Sequence, residues 1–264
     1  MNITLVPIAG LCNRMNAITS GLLFLKNNPD CKMKILWWKS HDCNVWFSDL
    51  FEDIDPGIKK MQSLLKDRPA TLRNLYIPKY FRKYFYDFEM TPKYKAVDFE
   101  KLTKGKNNVY VSCHNNWNQY LITKNLADIF IPKKELQNKI NNITKDWKKE
   151  DVIGLHIRRT DNTAAIEKSP IYRFYTLMDS EINNNNNVRF YLATDDEKIK
   201  QNMKEKYGNR IITLNLSLKR NTTQGMKDAV VDLFCLGSTS KIIGSHHSTY
   251  SIIASQLYNI DLIV

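Results

Sequence analysis

The sequence predicts an α/β protein built on parallel sheets, and three observations carry that prediction. Strand-like and helix-like runs alternate with few interruptions from about residue 128 to the end. A strand at the amino terminus runs straight into a glycine turn and a helix, and the 264 residues, 43% apolar and 25% charged, suffice for two compact α/β lobes with cores of their own. The expected division is 1–148 and 149–264.

ITLVPI at 3–8 is a short β-type run, and the next stretch places Leu11, Met15, Ile18, Leu22 and Leu25 at near-helical spacing, so the start reads as strand, tight turn at Gly10, helix. MKILWW at 33–38 supplies a second strand. The chain then loses its period. Aromatic and basic residues crowd together and Pro56, Pro69, Pro78 and Pro92 interrupt them, which predicts short helices and loops until NVYVSC at 108–113 returns as a strand. A helix through KKELQNKINNITKDW leads to the apolar run DVIGLHI at 151–157, where a new unit begins. A helix follows from about Pro170 to Asn183, then strand VRFYLAT at 188–194, a helix from about Asp196 to Tyr207 and strand RIITLNL at 210–216. The series ends with a helix over GMKDAVVDLFCLG, strand KIIG at 241–244, a helix from about Ser248 to Leu257 and a terminal IDLIV. Strands alternating with helices call for a parallel sheet covered on both faces.

The formal charge of +12, from 39 Lys and Arg against 27 Asp and Glu, favours anionic partners. The basic residues are scattered, densest between Lys79 and Lys106, rather than gathered into one stripe as a nucleic-acid module would arrange them. No nucleic acid is therefore the expectation, while a peripheral contact with anionic membrane is compatible with the charge. Cys12, Cys31, Cys43, Cys113 and Cys235 form an odd set without C-x-x-C spacing, which argues for reduced thiols over a disulfide scaffold or zinc site. The opening MNITLVPIAG has no basic segment leading a long apolar run, and no stretch reaches 18 apolar residues, so a cytoplasmic protein is expected.

In parallel α/β sheets ligands gather at the carboxyl ends of the strands. HIRRTDN ends the strand beginning near Asp151, TDD ends the one beginning near Val188, and GSHHS follows KIIG, so three polar loops converge on one edge. Arg158 and Arg159 offer planar forks that match phosphate oxygens, or pair with a local carboxylate such as Asp161. Strand alternation sends their side chains to opposite sides, so that one grips a diphosphate and the other braces the loop. His156 is either a satisfied strand-end imidazole or a donor to a base or sugar. Of Asp195 and Asp196, one caps the next helix and the other is left for ligand hydroxyls. Ser245 and Ser248 flank His246 and His247 ahead of a helix, where they either cap it or receive a phosphate. Asp232 sits in an otherwise apolar helix and needs donors, which a guanine N1–H and N2–H pair or an arginine would supply. In the other lobe Asn13 and Arg14 follow Gly10 in a turn that is not G-x-G-x-x-G, and both would project from it. Neither the adjacent acids nor Asp53-Ile54-Asp55 makes a magnesium site, so metal independence is expected.

HIRRTD at 156–161, YLATDD at 191–196 and the span from AVVDLFCL to GSHHS at 229–248 together resemble the three motifs of the α1,6-, α1,2- and protein-O-fucosyltransferase superfamily. They are closest to its α1,6 branch of core and nodulation enzymes, and GLCNRMN is similar to the superfamily's amino-terminal Gly-Asn turn. The resemblance covers about 151–257 and, in the first lobe, 5–16. It implies a GT-B-like arrangement of two Rossmann-like lobes, acceptor side first and GDP-sugar side second, with inverting, metal-independent transfer from GDP-fucose as donor substrate and no cofactor. Carried over by residue, Arg158 would grip the β-phosphate, His156 and Asp232 would recognise guanine, Asp195 or Asp196 would serve the nucleoside, and Ser248 would complete the diphosphate pocket. Arg159, Asp161, Ser245 and Asn13 join them as candidate donor-binding residues. Asn162 stands where the family carries a lysine, and Glu167 aligns with the family's acid across a one-residue insertion, which makes it the candidate base. The family's accessory modules are not recognisable, so the expected acceptor is a glycan or lipid-linked saccharide of bacterial type rather than an N-glycan core. The rival readings are a basic, non-enzymatic protein that binds nucleic acid or an anionic surface, and a transferase for another GDP-sugar.

Overall fold

A computed structural model of the chain describes residues 1–54, 57–61, 79–91, 97–120, 125–159, 163–217 and 219–264. Pro56, Pro69, Pro78, Pro92, Asp161 and Asn162 lie outside the described residues. The chain forms two compact units, one of Met1–Thr123, Ile129–Lys133 and Lys219–Lys227, the other of Lys124–Asp128, Lys134–Leu218 and Asp228–Val264. The helix expected ahead of residue 149 thus groups with the second unit.

The first unit contains β1 (Asn2–Pro7), α1 (Leu11–Asn27), β2 (Lys32–Trp38), β3 (Ile58–Met61), α2 (Lys79–Arg82), β4 (Phe88–Met90), α3 (Phe99–Leu102) and β5 (Asn108–Cys113). Its five strands form a parallel sheet in the order β3-β2-β1-β5-β4, with Leu5 of β1 beside Ile35 of β2 and Val111 of β5. The central strands are apolar on both faces, as a doubly covered parallel sheet demands. The edge strands β3 and β4 correct the expectation of helices and loops only. IKKM and FEM are too short and too polar to show a period of two, and pairing with β2 and β5 makes them strands.

The turn after β1 differs in detail from its reading. Its left-handed residue is Ala9 (φ 65°), a conformation disfavoured for a residue with a Cβ, while Gly10 is extended as the N-cap of α1. Arg14 does not project toward ligand. It is fully buried, with Nε donating to the Ala9 carbonyl at 2.8 Å, Nη1 to the Trp38 carbonyl at 2.6 Å and Nη2 to Ser40 Oγ at 2.9 Å. Its guanidinium lies 4.8 Å and 5.2 Å from the ring centroids of Trp37 and Trp38. Arg14 therefore ties the loops after β1 and β2 together, and Ala9 keeps its strained conformation because its carbonyl faces that cation. Asn13, one residue earlier, is half-buried at the first turn of α1.

The second unit contains α4 (Lys134–Thr144), α5 (Trp147–Glu150), β6 (Val152–Ile157), α6 (Thr163–Lys168), α7 (Ile171–Asn184), β7 (Arg189–Thr194), α8 (Glu197–Tyr207), β8 (Ile211–Ile212), the greater part of α9 (Thr223–Gly237), β9 (Lys241–Ile243), α10 (Thr249–Tyr258) and β10 (Asp261–Ile263). The sheet order is β10-β9-β6-β7-β8 with every pair parallel. Counted within the unit this is 3-2-1-4-5, the Rossmann order, and its topological switch point lies between β6 and β9. β8 is shorter than the expected 210–216, because only Ile211 and Ile212 find partners on β7.

Alternation along β6 decides which side chains reach that switch point. Ile153, Leu155 and Ile157 join Phe190 and Leu192 of β7 and Phe174 and Met178 of α7 in one core, each such side chain contributing roughly 1.5–3 kcal/mol. Gly154 and His156 face the other way, toward α9 and α10. A Cβ on Gly154 would come within 2.7 Å of Leu236 Cδ1 and Thr239 Oγ1, so the close approach of α9 requires glycine here.

Candidate functional site

Because β6, β7 and β9 are adjacent and parallel, the loops that follow them meet at one edge of the second unit. Ser245 stitches two of these loops. Its Oγ accepts from the Arg158 backbone N–H at 3.1 Å and donates to the His156 carbonyl at 3.1 Å. Asp195 joins the third, its carboxylate accepting from the Arg159 backbone N–H at 2.8 Å. Asp196 is the N-cap of α8, accepting from Lys198 N–H at 2.8 Å and Ile199 N–H at 3.4 Å. The two aspartates therefore divide their work as helix capping and loop anchoring.

The adjacent arginines divide too. Arg159 turns back on the loop, its Nη2 donating to the Ser169 carbonyl at 2.7 Å and its Nη1 reaching the Ile166 carbonyl at 3.5 Å, and burial lowers its pKa. Arg158 is half-buried just past the end of β6, its backbone fixed by Ser245. From the next helices, Arg173 Nη1 donates to the Gly244 carbonyl at 3.2 Å, and Lys168 Nζ lies 3.1 Å from His247 Nε2. His247 has φ 54° and His246 N–H donates to Ser169 Oγ at 2.8 Å, so the 244–248 loop is held in a bent, non-glycine conformation under a basic rim. Glu167 is exposed on α6.

Beneath the edge lies a buried polar network that the sequence does not advertise. His156 Nδ1 is 2.7 Å from Ser251 Oγ, and its ring stacks on Tyr250 at 4.9 Å. Tyr250 in turn donates to Asp232 Oδ2 at 2.8 Å, and Tyr191 donates to Asp232 Oδ1 at 2.5 Å. The donors to Asp232 are thus tyrosine hydroxyls, not an arginine. Burial pushes the His156 imidazole down to about 4, with Asp195 opposing and Arg158 reinforcing the shift, so the ring is neutral at neutral pH. Burial raises Asp232, while the two tyrosine hydroxyls and Lys200 pull it back toward ionisation.

Ser248 is the exception in this satisfied edge. It stands at the N-cap of α10 without making a cap bond, and its Oγ is buried with no hydrogen-bond partner. An orphaned hydroxyl at the amino end of a ten-residue helix, beside the switch point, suits an incoming anion. Among the described residues no group of three or more His, Cys, Asp or Glu could hold a metal ion. No disulfide joins Cys12, Cys31, Cys43, Cys113 or Cys235.

Two Rossmann-like units with parallel sheets, the second with a polar rim on its switch point, correspond to the GT-B fold. The family model for α-(1,6)-fucosyltransferase N- and catalytic domains matches residues 103–231. Similar solved structures include an Arabidopsis thaliana FUT1 mutant in complex with GDP (TM-score 0.63, 12% identity, 99% of this chain and 69% of that one). Fucosyltransferase NodZ from Bradyrhizobium superposes with TM-score 0.61 at 13% identity over 96% of this chain and 91% of that one. POFUT1 in complex with GDP gives 0.58 at 8% identity over 99% and 97%. No curated protein is a significant match. The chain thus shares the fold of these fucosyltransferases, and over residues 103–231 its sequence is similar to the α-(1,6)-fucosyltransferase family.

Proposed function

We propose that the protein transfers fucose from GDP-fucose to a hydroxyl of a glycan or lipid-linked saccharide, with inversion and without a metal ion. The observation that carries the reading is the buried, unpartnered Ser248 hydroxyl at the head of α10, on the switch point that also bears Arg158. NodZ, of the same fold, has been soaked with GDP-fucose, which supports the choice of donor.

As the bond from fucose to GDP loosens, negative charge gathers on the departing diphosphate. Arg158 meets the β-phosphate, and Ser248 Oγ and the first N–H groups of α10 donate to it, a preorganised set worth about 3 kcal/mol or more per donor in the transition state. Neutral His156 and the Asp232 carboxylate read the guanine, and Asp195 and Asp196 border the nucleoside. Arg159 acts as a positioning residue through the Ile166 and Ser169 carbonyls. The acceptor oxygen attacks the anomeric carbon from the side opposite GDP and gives its proton to Glu167. The first unit serves the acceptor side. An odd set of five cysteines without C-x-x-C spacing supports a reducing, cytoplasmic setting.

Calorimetric titration is expected to show GDP binding well above ADP and UDP, and product mass is expected to rise by a fucosyl group; equal binding of the three nucleotides would remove the reading. A pair of serine variants tests the anion assignment. Ser248→Ala deletes a hydroxyl with no partner, so it is expected to leave the melting temperature unchanged while weakening GDP several-fold, about 1 kcal/mol. Ser245→Ala removes two bonds between loops and is expected to destabilise the fold by about 1–3 kcal/mol. If Ser248→Ala bound GDP as the wild type does, the phosphate would lie elsewhere.

A further inference from the structure

We propose that the segment from Lys79 to Phe85 is a docking surface for an anionic lipid bilayer. Helix α2 continues as a turn, with Tyr84 N–H donating to the Phe81 carbonyl and Phe85 and Tyr86 N–H both donating to the Arg82 carbonyl. This winding sorts the side chains onto two sides. Arg82 and Tyr86, four residues apart, face inward: Arg82 is buried over the Tyr110 ring at 4.2 Å and paired with Glu89, and Tyr86 packs on Tyr110 at 5.2 Å and donates to Thr4 Oγ1 at 3.3 Å. Tyr80, Phe81, Tyr84 and Phe85 face outward, 85%, 57%, 71% and 58% exposed.

Four large aromatics held in solvent by a buried arginine anchor are unusual on a soluble protein surface. Their company identifies the partner. Lys79 and Lys83 are exposed among them, and the run from 79 to 86 has no acidic residue. Of the neighbouring acids, Asp87 accepts the Asn107 and Asn108 N–H groups, each at 2.8 Å, and Glu89 is paired with Arg82. Lys106 lies beside Asp87 and adds to the positive field. Two exposed phenylalanines in a run from 79 to 86 that has no carboxylate or carboxamide side chain argue against a saccharide platform, which pairs its rings with such acceptors. Tyrosine, phenylalanine and lysine side by side match the bilayer interface, where rings settle among headgroups and lysines meet anionic phosphates. A transferase that elongates a lipid-linked acceptor would gain from such tethering; the docking surface itself stands without that reading.

The test is flotation of the purified protein with phosphatidylcholine vesicles, with and without phosphatidylglycerol. The expected result is binding to the anionic vesicles that weakens with salt, and a fall of about ten-fold or more both in Phe81→Ser/Phe85→Ser and in Lys79→Glu/Lys83→Glu. Lys145→Glu/Lys204→Glu, which makes the same charge change on exposed positions of the second unit, should retain most of the binding. Failure of the wild type to float, equal flotation of the aromatic variant, or equal loss in the control pair would each overturn the proposal. GDP titration of the aromatic variant is expected to be unchanged, which separates this outcome from any failure of the donor assignment.

Discussion

Arg158→Ala is expected to lower GDP affinity by about a hundred-fold or more while the protein melts where the wild type does. The asymmetry follows from how the residue is held. Its backbone N–H is fixed by Ser245 Oγ, a bond that alanine keeps, and its half-buried side chain is no part of the apolar core formed by Ile153, Leu155 and Ile157. The proposed phosphate contact is made by the guanidinium, which alanine lacks. Arg158→Lys keeps the charge but not the planar fork, so it should recover only part of the loss. The neighbour makes the opposite forecast, since Arg159 is engaged with the Ile166 and Ser169 carbonyls; its removal should loosen α6 and lower turnover more than GDP affinity. Calorimetry with thermal melts on the two alanine variants checks both. Normal GDP binding by Arg158→Ala would mean that the diphosphate sits on other groups.

The second unit was legible from sequence because its strands carry long apolar runs and its helices a clear period. VIGLHI and RFYLAT bury nearly every side chain, and the polar residues beyond them fall where parallel strands end. That rule placed His156, Arg158, Asp195, Ser245 and Ser248 on one edge. What it did not find was decided by contacts distant in sequence. Tyr191 and Tyr250 look like core aromatics in their own segments, and only the packing of α9 and α10 against β6 and β7 brings both hydroxyls to Asp232. Arg14 failed in the reverse sense: beside a turn it resembles a ligand group, yet the rings of Trp37 and Trp38 and three acceptors at the ends of β1 and β2 make it a core residue. β3 and β4 were illegible because a strand of three or four residues at a sheet edge has its identity in its neighbour.

Asp232 separates a structural carboxylate from a recognising one. Asp232→Ala would leave the Tyr191 and Tyr250 hydroxyls without their acceptor inside the second unit, an expected loss of about 2–5 kcal/mol measured by chemical denaturation. Asp232→Asn is the more informative change. A carboxamide fits the same space, accepting from one tyrosine and donating to the other, so the fold should survive. Because burial raises the folded-state pKa of Asp232, this group's contribution to stability is full below the unfolded carboxylate range and declines as pH rises through the folded value. The asparagine variant has no such titration, so its stability relative to the wild type is expected to improve from acid toward neutral pH. Its nucleotide selectivity should move the other way. A carboxylate can accept both guanine N1–H and N2–H, whereas the carboxamide presents donors of its own, and the preference for GDP over ADP should fall by about ten-fold or more. Full stability together with undiminished GDP selectivity in Asp232→Asn would assign the carboxylate to the tyrosine network alone and leave guanine recognition to His156 and its surroundings.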